Sequence, residues 1–555
     1  MNTPRFLPIL LAFCMFSTGA SGLVNEYVLA SITTFILGNS IEQWSMIIAS
    51  MMLMMGVSGL VQRKMSDENL LQKFIIVEVL MALLGSFAPL ATYAAYGYLE
   101  YNFIFIHYFF VLSIGFLIGF EIPLVMRIIE QNNIELKTNL TLVYAMDYIG
   151  AFIGAVIWVE YLLMNYPLTE ISFIVSGFNF MVAVATCLYF LNLKIISNPL
   201  PQFTMLFVSA VLLVLGFNYN VDMSNILEQK FYDDPIVYKK TTKYQHLVIT
   251  QSNTTQDTRL YINGHTQFSS LDEARYHDFL VHPLMAAAAK AQNILVLGGG
   301  DGLALREVNK YPDIESITLV DLDPEMVNIA ATNPYLTTLN KNAFAASKVV
   351  TAGLNIRDSG AKESVYLTED GLAGATPEWV ASLEVFNVDA DQFLRGSKYD
   401  KWDAVIIDLP DPSSIELSKL YSRQFYRSLK RRLTANAFIS IQSTSPYHAK
   451  EAYLAIGNTL KSAGFKILPY RQNIPSFGDW GYHLAWLNEE TPAQVKTRLS
   501  NLSEFQVTSE FITPELLAAS FAFGKGELVA ESHCINTIMM PCLLKNYLEK
   551  SWLVE

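Results

Sequence analysis

Apolar residues fill the first 218 positions in long runs. These show neither the period-two alternation of a half-buried strand nor the single stripe of a surface helix. A helix needs roughly 20 mostly apolar residues to cross a bilayer. Seven runs are long enough, at about 6–30, 44–62, 74–96, 102–126, 142–163, 168–191 and 202–218. They predict an N-terminal all-α transmembrane bundle of about seven spans over residues 1–218. The first run has no clear cleavage site behind it and six further spans after it, so it reads as a span and not as a signal peptide. Beyond 218 short apolar strands alternate with amphipathic helices, which predicts a soluble α/β half. Its parts are a linker and β-rich subdomain at 219–290, an α/β domain at 291–490 and a C-terminal extension at 491–555. Residues about 346–382, rich in Gly, Ser and charge, read as a surface excursion from that domain.

Charge adds orientation. Lys and Arg sit in alternate short loops: Arg5, then Arg63, Lys64 and Lys73, then Arg127 and Lys137, then Lys194. The loops at 31–43, 97–101 and 164–167 hold none. That bias predicts a cytoplasmic N-terminus. Seven spans then place the soluble half on the opposite face. An even count follows if the first run, with Gly19, Gly22 and Glu26, is broken or re-entrant, so the side of the soluble half stays open. Carboxylates also fall inside the spans, at Glu26, Glu78, Glu121, Asp147 and Glu160. Charge in lipid is costly, which makes such groups functional candidates. Glu78 and Glu160 fit helix ends near headgroups. Glu121 and Asp147 fit buried positions, where a structural polar network and a substrate path are both open. Gly150 and Gly154, four apart, suit close helix packing.

The 555 residues, 52% hydrophobic and 16% charged, therefore average over two solvents. A formal charge of −13 argues against a nucleic-acid partner and is compatible with a cationic one. Cys14 and Cys187 lie in apolar runs, as small core residues do. Cys534 and Cys542 lack paired CxxC spacing, so no metal site is expected; a disulfide between them is left open.

Candidate chemistry lies in the soluble half. Residues 293–309, NILVLGGGDGLALREVN, run from an apolar strand through a glycine-rich turn into a helix, an order that brings backbone N–H groups against a bound ligand. A second strand, SITLVDLDPEM, carries Asp321 at its end, at the spacing of a ribose-binding acid in a nucleotide-binding βαβ unit. SLEVFNVDADQFL leads to Asp389, and WDAVIIDLPDPSS to Asp408 and Asp411. A single Asp in such a place usually caps the next helix. Four acidic sites on successive strand ends, Asp301 in the loop among them, read instead as one crevice.

GGGDGLALREV, LVDLDPEM, VDADQF and DAVIIDLPDPSS, followed by LYSRQFY, resemble the spermidine synthase family in order and spacing. Upstream, KYQHLVIT, LYINGHTQF and EARYHDFLVHP resemble its β-hairpin region. The likeness covers about 236–345 and 383–490. The seven-span start and NTIMMPCLLKNYLEKSW resemble the membrane-spanning branch of that family. The resemblance implies a Rossmann-like, methyltransferase-type domain with a small β-hairpin subdomain. It also implies a reaction: an aminopropyl group passes from decarboxylated S-adenosylmethionine, a co-substrate and not a resident cofactor, to an amine such as putrescine. The products would be spermidine and methylthioadenosine. Laid on matching residues, it makes Asp408 the base and Asp411 a holder of the amine. Asp301 would take the donor's aminopropyl end, Gly298 and Gly300 the donor loop, Asp321 the ribose, and Asp389 with Ala390 the adenine. Gln245 and His277 would line the pocket; Gln267 and Tyr276 match less closely. Departures from the family pattern are Asn263 for Asp, Asp278 for Glu, Ile415-Glu416 for a Pro-Gly run and Phe477 for an amine-contacting tyrosine. They leave the acceptor open. A methyltransferase on the same nucleotide fold, and a polyamine transporter or sensor that has lost catalysis, are the alternatives. The implied partners are a small-molecule amine and the lipid bilayer, with a homo-oligomer open because soluble relatives assemble.

Overall fold

The computed structural model describes residues 7–37, 40–99, 102–131, 136–192, 199–288, 290–345, 347–350, 364–366, 381–396, 401–531 and 533–550. The chain forms two compact units, Met1–Ile236 and Val237–Glu555.

The first unit is helical: α1 Leu7–Leu37, α2 Ser40–Gln62, α3 Leu70–Leu99, α4 Phe103–Gln131, α5 Leu136–Ile157, α6 Leu168–Asn192 and α7 Leu200–Glu228. A π turn at Trp158–Leu162 and a last turn carry α5 on to Asn165. Each of the seven is long and apolar enough to cross a bilayer. α1 is one unbroken helix, against the broken or re-entrant alternative, and its glycine at 19 serves packing. A Cβ on Gly19 would lie 2.3 Å from the Asp147 carbonyl oxygen. One on Gly150 would lie 2.0 Å from that of Phe16, and one on Gly154 2.8 Å from that of Ala20. Small residues thus let the α1 and α5 backbones nearly touch. Gly115 and Gly119 do the same for α4 against Met51 and Met55 of α2. Large apolar side chains point outward, with Phe105, Phe152 and Phe207 about 70% exposed, and many polar side chains lie inside. α7 continues beyond 218, where the apolar run ends. Apolarity measures contact with lipid, whereas the helix hydrogen bonds run on to Glu228 and pass into a 3-10 turn at Gln229–Phe231. Glu78 is fully buried in the middle of α3, not near a helix end as its sequence position suggested.

The second unit opens with a four-stranded antiparallel sheet, β1 Ile236–Thr241, β2 His246–Gln251, β3 Thr258–Ile262 and β4 His265–Ser269. Asn263 and Gly264 join β3 to β4 with φ of 50° and 81°, the positive pair a two-residue hairpin loop requires. Asn263 Oδ1 also accepts the His246 N–H at 2.8 Å, so an amide replaces the family's usual acid without loss of the turn. Helix α8, Glu273–Ala287, leads into the main sheet. Its strands are β5 Asn293–Gly298, β6 Ser316–Asp321, β7 Ser347–Val350, β8 Ser364–Tyr366, β9 Ser382–Asn387, β10 Trp402–Asp408, β11 Leu433–Gln442, β12 Lys466–Ile474 and β13 Gly478–Trp486. They lie in the order β12-β13-β11-β10-β5-β6-β9-β7-β8, parallel from β11 to β7 and antiparallel at both edges. β5 is buried on both faces: Ile294 and Val296 enter one core, Leu295 and Leu297 the other. Strand order reverses between β5 and β10, and open α/β sheets bind ligands beyond the carboxyl ends at such a point. Of the excursion expected at about 346–382, β7 and β8 are seen, and most of the rest lies outside the described residues.

Candidate active site

Register alone brings the loop and two acids together. Gly298, at the end of β5, pairs with Asp408, at the end of β10. Its φ is +83°, and a Cβ would lie 2.0 Å from the Asp408 carbonyl oxygen, so only glycine fits. A Cβ on Gly300 would lie 2.6 Å from the Asp321 carboxylate. With that space free, the Gly300 N–H donates to Asp321 Oδ2 at 3.1 Å, and the Asp323 N–H donates to Oδ1 at 2.9 Å. Asp323, and not Asp321, caps the helix Pro324–Thr332. Asp301 accepts the Leu303 N–H at 2.9 Å, which orients its carboxylate at the mouth of the loop.

α8 supplies the opposite wall. Glu273 and His277, one turn apart, share a bond of 2.9 Å, and Arg306 grips the same carboxylate with two nitrogens at 2.7 and 2.9 Å. Burial alone would lower the His277 imidazole. The Glu273 bond and charge, with Asp301 and Asp408 beyond, push it up to about 9. His277 is thus a fixed cation facing two carboxylates. Tyr276 donates its hydroxyl to Asp408 Oδ1 at 2.7 Å and stands among the rings of Phe477, Trp480 and Tyr482. Burial pushes Asp408, Asp321 and Asp411 each up to about 6. For Asp408 the His277 charge and Tyr276 bond oppose the rise, while Asp301 adds to it.

Asp411 is held from three sides: Gln442 Nε2 at 3.3 Å, Thr444 Oγ1 at 3.2 Å and the Tyr547 hydroxyl at 2.9 Å. Tyr547 belongs to the C-terminal helix Cys542–Lys550, which a disulfide from Cys542 to Cys534 fastens, settling the open pairing. Asp389 caps the helix Ala390–Arg395 through Gln392 and pairs with Lys419 at 2.9 Å. It therefore performs the ordinary capping duty, while both oxygens keep lone pairs for a ligand. Ala390 opens that helix, buried. Gln245 lies in the turn before β2, bonded through its backbone to Thr242, whose hydroxyl reaches Asp323 at 2.7 Å. Gln267, in β4, bonds the His265 carbonyl.

Three further buried groups, Asp278, His282 and Glu307, hold ligand atoms within 4.8 Å of one another, the spacing of a metal site. Here cations of the chain already serve them. Arg306 and Lys310 pair with Glu307, His282 bridges Glu307 and Asp278, and Asp278 Oδ2 takes the N–H groups of Phe511 and Ile512. The cluster is an ion-pair network that ties α8 to the segment around 511, which explains why the shorter Asp278 suits this chain.

The sequence pattern of the Spermine/spermidine synthase domain matches residues 273–355 and 380–497, with its gap inside the excursion. Polyamine aminopropyltransferase 2 of Ralstonia nicotianae is 35% identical over 518 residues, covering 93% of each chain. This chain belongs to the polyamine aminopropyltransferase family. The polyamine aminopropyltransferase of Oceanobacillus iheyensis is 32% identical over 96% of this chain and 95% of its own. The likeness to these aminopropyltransferases therefore includes the helical unit as well as the domain pattern. A crystal structure of spermidine synthase with the transition state analogue AdoDATO matches at a TM-score of 0.41 and 20% identity, over 53% of this chain and 88% of that one.

Proposed function

We propose that this enzyme transfers the aminopropyl group of decarboxylated S-adenosylmethionine to an amine of the putrescine class, giving spermidine and methylthioadenosine. The observation that carries the reading is a buried acidic crevice at the switch point, with Asp408 raised to about 6 and bonded to Tyr276. Both substrates are cations, and Asp301, Asp321, Asp408 and Asp411 offset their mutual repulsion. Asp301 faces the donor's ammonium, Asp321 its ribose hydroxyls, and Asp389 with Ala390 its adenine. Gly298 and Gly300 let the backbone approach the donor. Gln245 and His277 line the pocket, and Asp411 holds the far end of the amine. The acceptor nitrogen attacks the methylene beside the sulfonium. The C–S bond breaks with its electrons going to sulfur, and the nitrogen gives a proton to Asp408. Purified protein given this donor and a panel of amines should release methylthioadenosine, with an aminopropylated product seen by mass spectrometry. Release that never depends on an amine overturns the reading.

Tyr547 is the residue by which the C-terminal extension enters this chemistry. Tyr547→Phe should raise the KM for the amine roughly 5- to 30-fold, the equivalent of about 1–2 kcal/mol for one hydrogen bond to a buried carboxylate. Steady-state kinetics with donor saturating checks it. An unchanged KM removes Asp411 from amine binding.

The helical unit crosses a membrane seven times. Glycine seams inside and large apolar side chains outside support this. A cytoplasmic N-terminus then exports the catalytic unit, and the Cys534–Cys542 disulfide accords with an oxidising side. Reporter fusions after residues 70, 135 and 235 test it. A signal at 235 on the same side as the other two excludes an exported catalytic unit.

A further inference from the structure

The interior of the helical unit carries a polar column that the transfer reaction does not use. α1 turns Cys14, Thr18, Ser21 and Asn25 inward at helical spacing, all of them buried. α6 answers with Ser172, Ser176, Asn179 and Thr186, also buried. The two stripes meet: Cys14 Sγ lies 3.7 Å from Thr186 Oγ1, and the Ser21 hydroxyl donates to Asn179 Oδ1 at 2.5 Å. A Cβ on Gly85 of α3 would lie 2.6 Å from Ser176 Oγ and 2.9 Å from Asn25 Nδ2, so glycine lets α3 pack directly against the column. Glu78 lies two turns earlier on the same face of α3. It interacts with Cys14 and with Glu121 of α4.

The unmatched groups point to a ligand. Among the described residues, neither oxygen of Glu78 has a hydrogen-bond partner, and Glu121 Oε1 has none. Asn25 Nδ2, Asn179 Nδ2, Ser172 Oγ and Ser176 Oγ are in the same condition. Each of these side chains is at least nine-tenths buried. Among the described residues, no Lys or Arg pairs with these carboxylates. Every described Lys and Arg of this unit stands in a loop or within two turns of a helix end, and Arg127 is committed to Asp67. A bare carboxylate in an apolar bundle is costly, so Glu78 carries either a proton or a foreign cation. A proton answers one carboxylate and leaves the hydroxyls and amides unmatched. Ammonium groups separated by methylenes answer the carboxylate and hydroxyl oxygens along the column, which accept hydrogen bonds. From Cys14 to Asn25 the column runs about 16 Å along α1, the reach of an extended polyamine.

We infer that this column is a second binding site for an extended alkylammonium cation, anchored by Glu78 and Glu121 and distinct from the catalytic crevice. The inference rests on the reading that the helical unit crosses a membrane. The test is equilibrium dialysis of the full chain in detergent against radiolabelled spermidine, with no donor present. Wild-type protein should show two classes of site and Asp411→Asn one. In that background Glu78→Gln should weaken the surviving class about tenfold or more. On its own, Glu78→Gln should leave methylthioadenosine formation unchanged, which also shows that the variant folds. Glu121→Gln is the second variant and should weaken the same class. The inference is overturned if Asp411→Asn protein binds no amine, or if both glutamine variants bind like their parent. It also falls if Glu78→Gln alters only proton uptake, read with a pH dye at unaltered amine binding. Release of the wild-type chain from carbonate-washed membranes would count against the membrane reading instead, and loss of wild-type turnover against the catalytic one.

Discussion

Asp408→Asn should lower kcat by about two to four orders of magnitude, the usual scale for removing a general base. Asparagine keeps the size of the side chain and still accepts the Tyr276 hydroxyl, so the crevice keeps its shape. What is lost is a proton acceptor and one negative charge. Donor affinity should change little, because the proposed donor contacts are Asp301 and Asp321. The pH profile gives a second readout. Burial first, with Asp301 behind it, pushes Asp408 up to about 6 against the pull of His277 and Tyr276. A base works only when deprotonated, so wild-type kcat/KM should climb with pH through about 6. The Asn variant should lose the share of that limb due to Asp408, while Asp321 and Asp411, also raised to about 6, keep theirs. A variant with normal turnover removes Asp408 from the role of base.

Donor choice should collapse in Asp301→Asn. S-adenosylmethionine differs from its decarboxylated form by a carboxylate beside the amine, and the buried Asp301 carboxylate would lie against it. Wild-type protein should therefore bind the decarboxylated donor far more tightly. Removing one partner of a buried charge contact costs about 2 kcal/mol or more, so the preference should narrow by roughly 30-fold at least. Calorimetric titration of both donors against both proteins measures it. Equal wild-type affinities would favour a methyltransferase. Two features of the loop motivate this expectation: the Leu303 N–H donates to Asp301 at 2.9 Å, and His277 stands near the same carboxylate.

What the sequence disclosed was whatever local backbone geometry imposes. A strand ending in glycines, and acids at the ends of successive strands, define a switch-point crevice because strand register follows from the apolar runs. His277 was reached only through the family resemblance; its i, i+4 partner Glu273, and Arg306 which binds that carboxylate, came from the structure. Side chains that arrive from far along the chain left no signal. Tyr547 is 136 residues from Asp411, and Gln442 ends β11 with Thr444 just beyond it. The helical unit was harder to read in a different way. A helix apolar on every side marks its length but not its inner face, so Glu78 looked like a headgroup residue and proved to be the most enclosed acid of the bundle. Asp389 shows that the two readings of a strand-end acid are compatible. It caps its helix, binds Lys419 and keeps acceptor capacity.

The near-contact between Gly298 and the Asp408 carbonyl has a consequence for attempts to recombine this enzyme with its relatives. The donor loop and the strand bearing the base are interlocked at atomic distance, so neither is a module that can be exchanged by itself. A chimera that imports a foreign glycine loop onto the native β10, or the reverse, has to reproduce a spacing that tolerates no added methyl group. Boundaries for grafting therefore belong outside both elements. New acceptor preferences are better sought around Phe477 and Trp480, which pack against Tyr276, and the C-terminal helix, whose Tyr547 bonds Asp411.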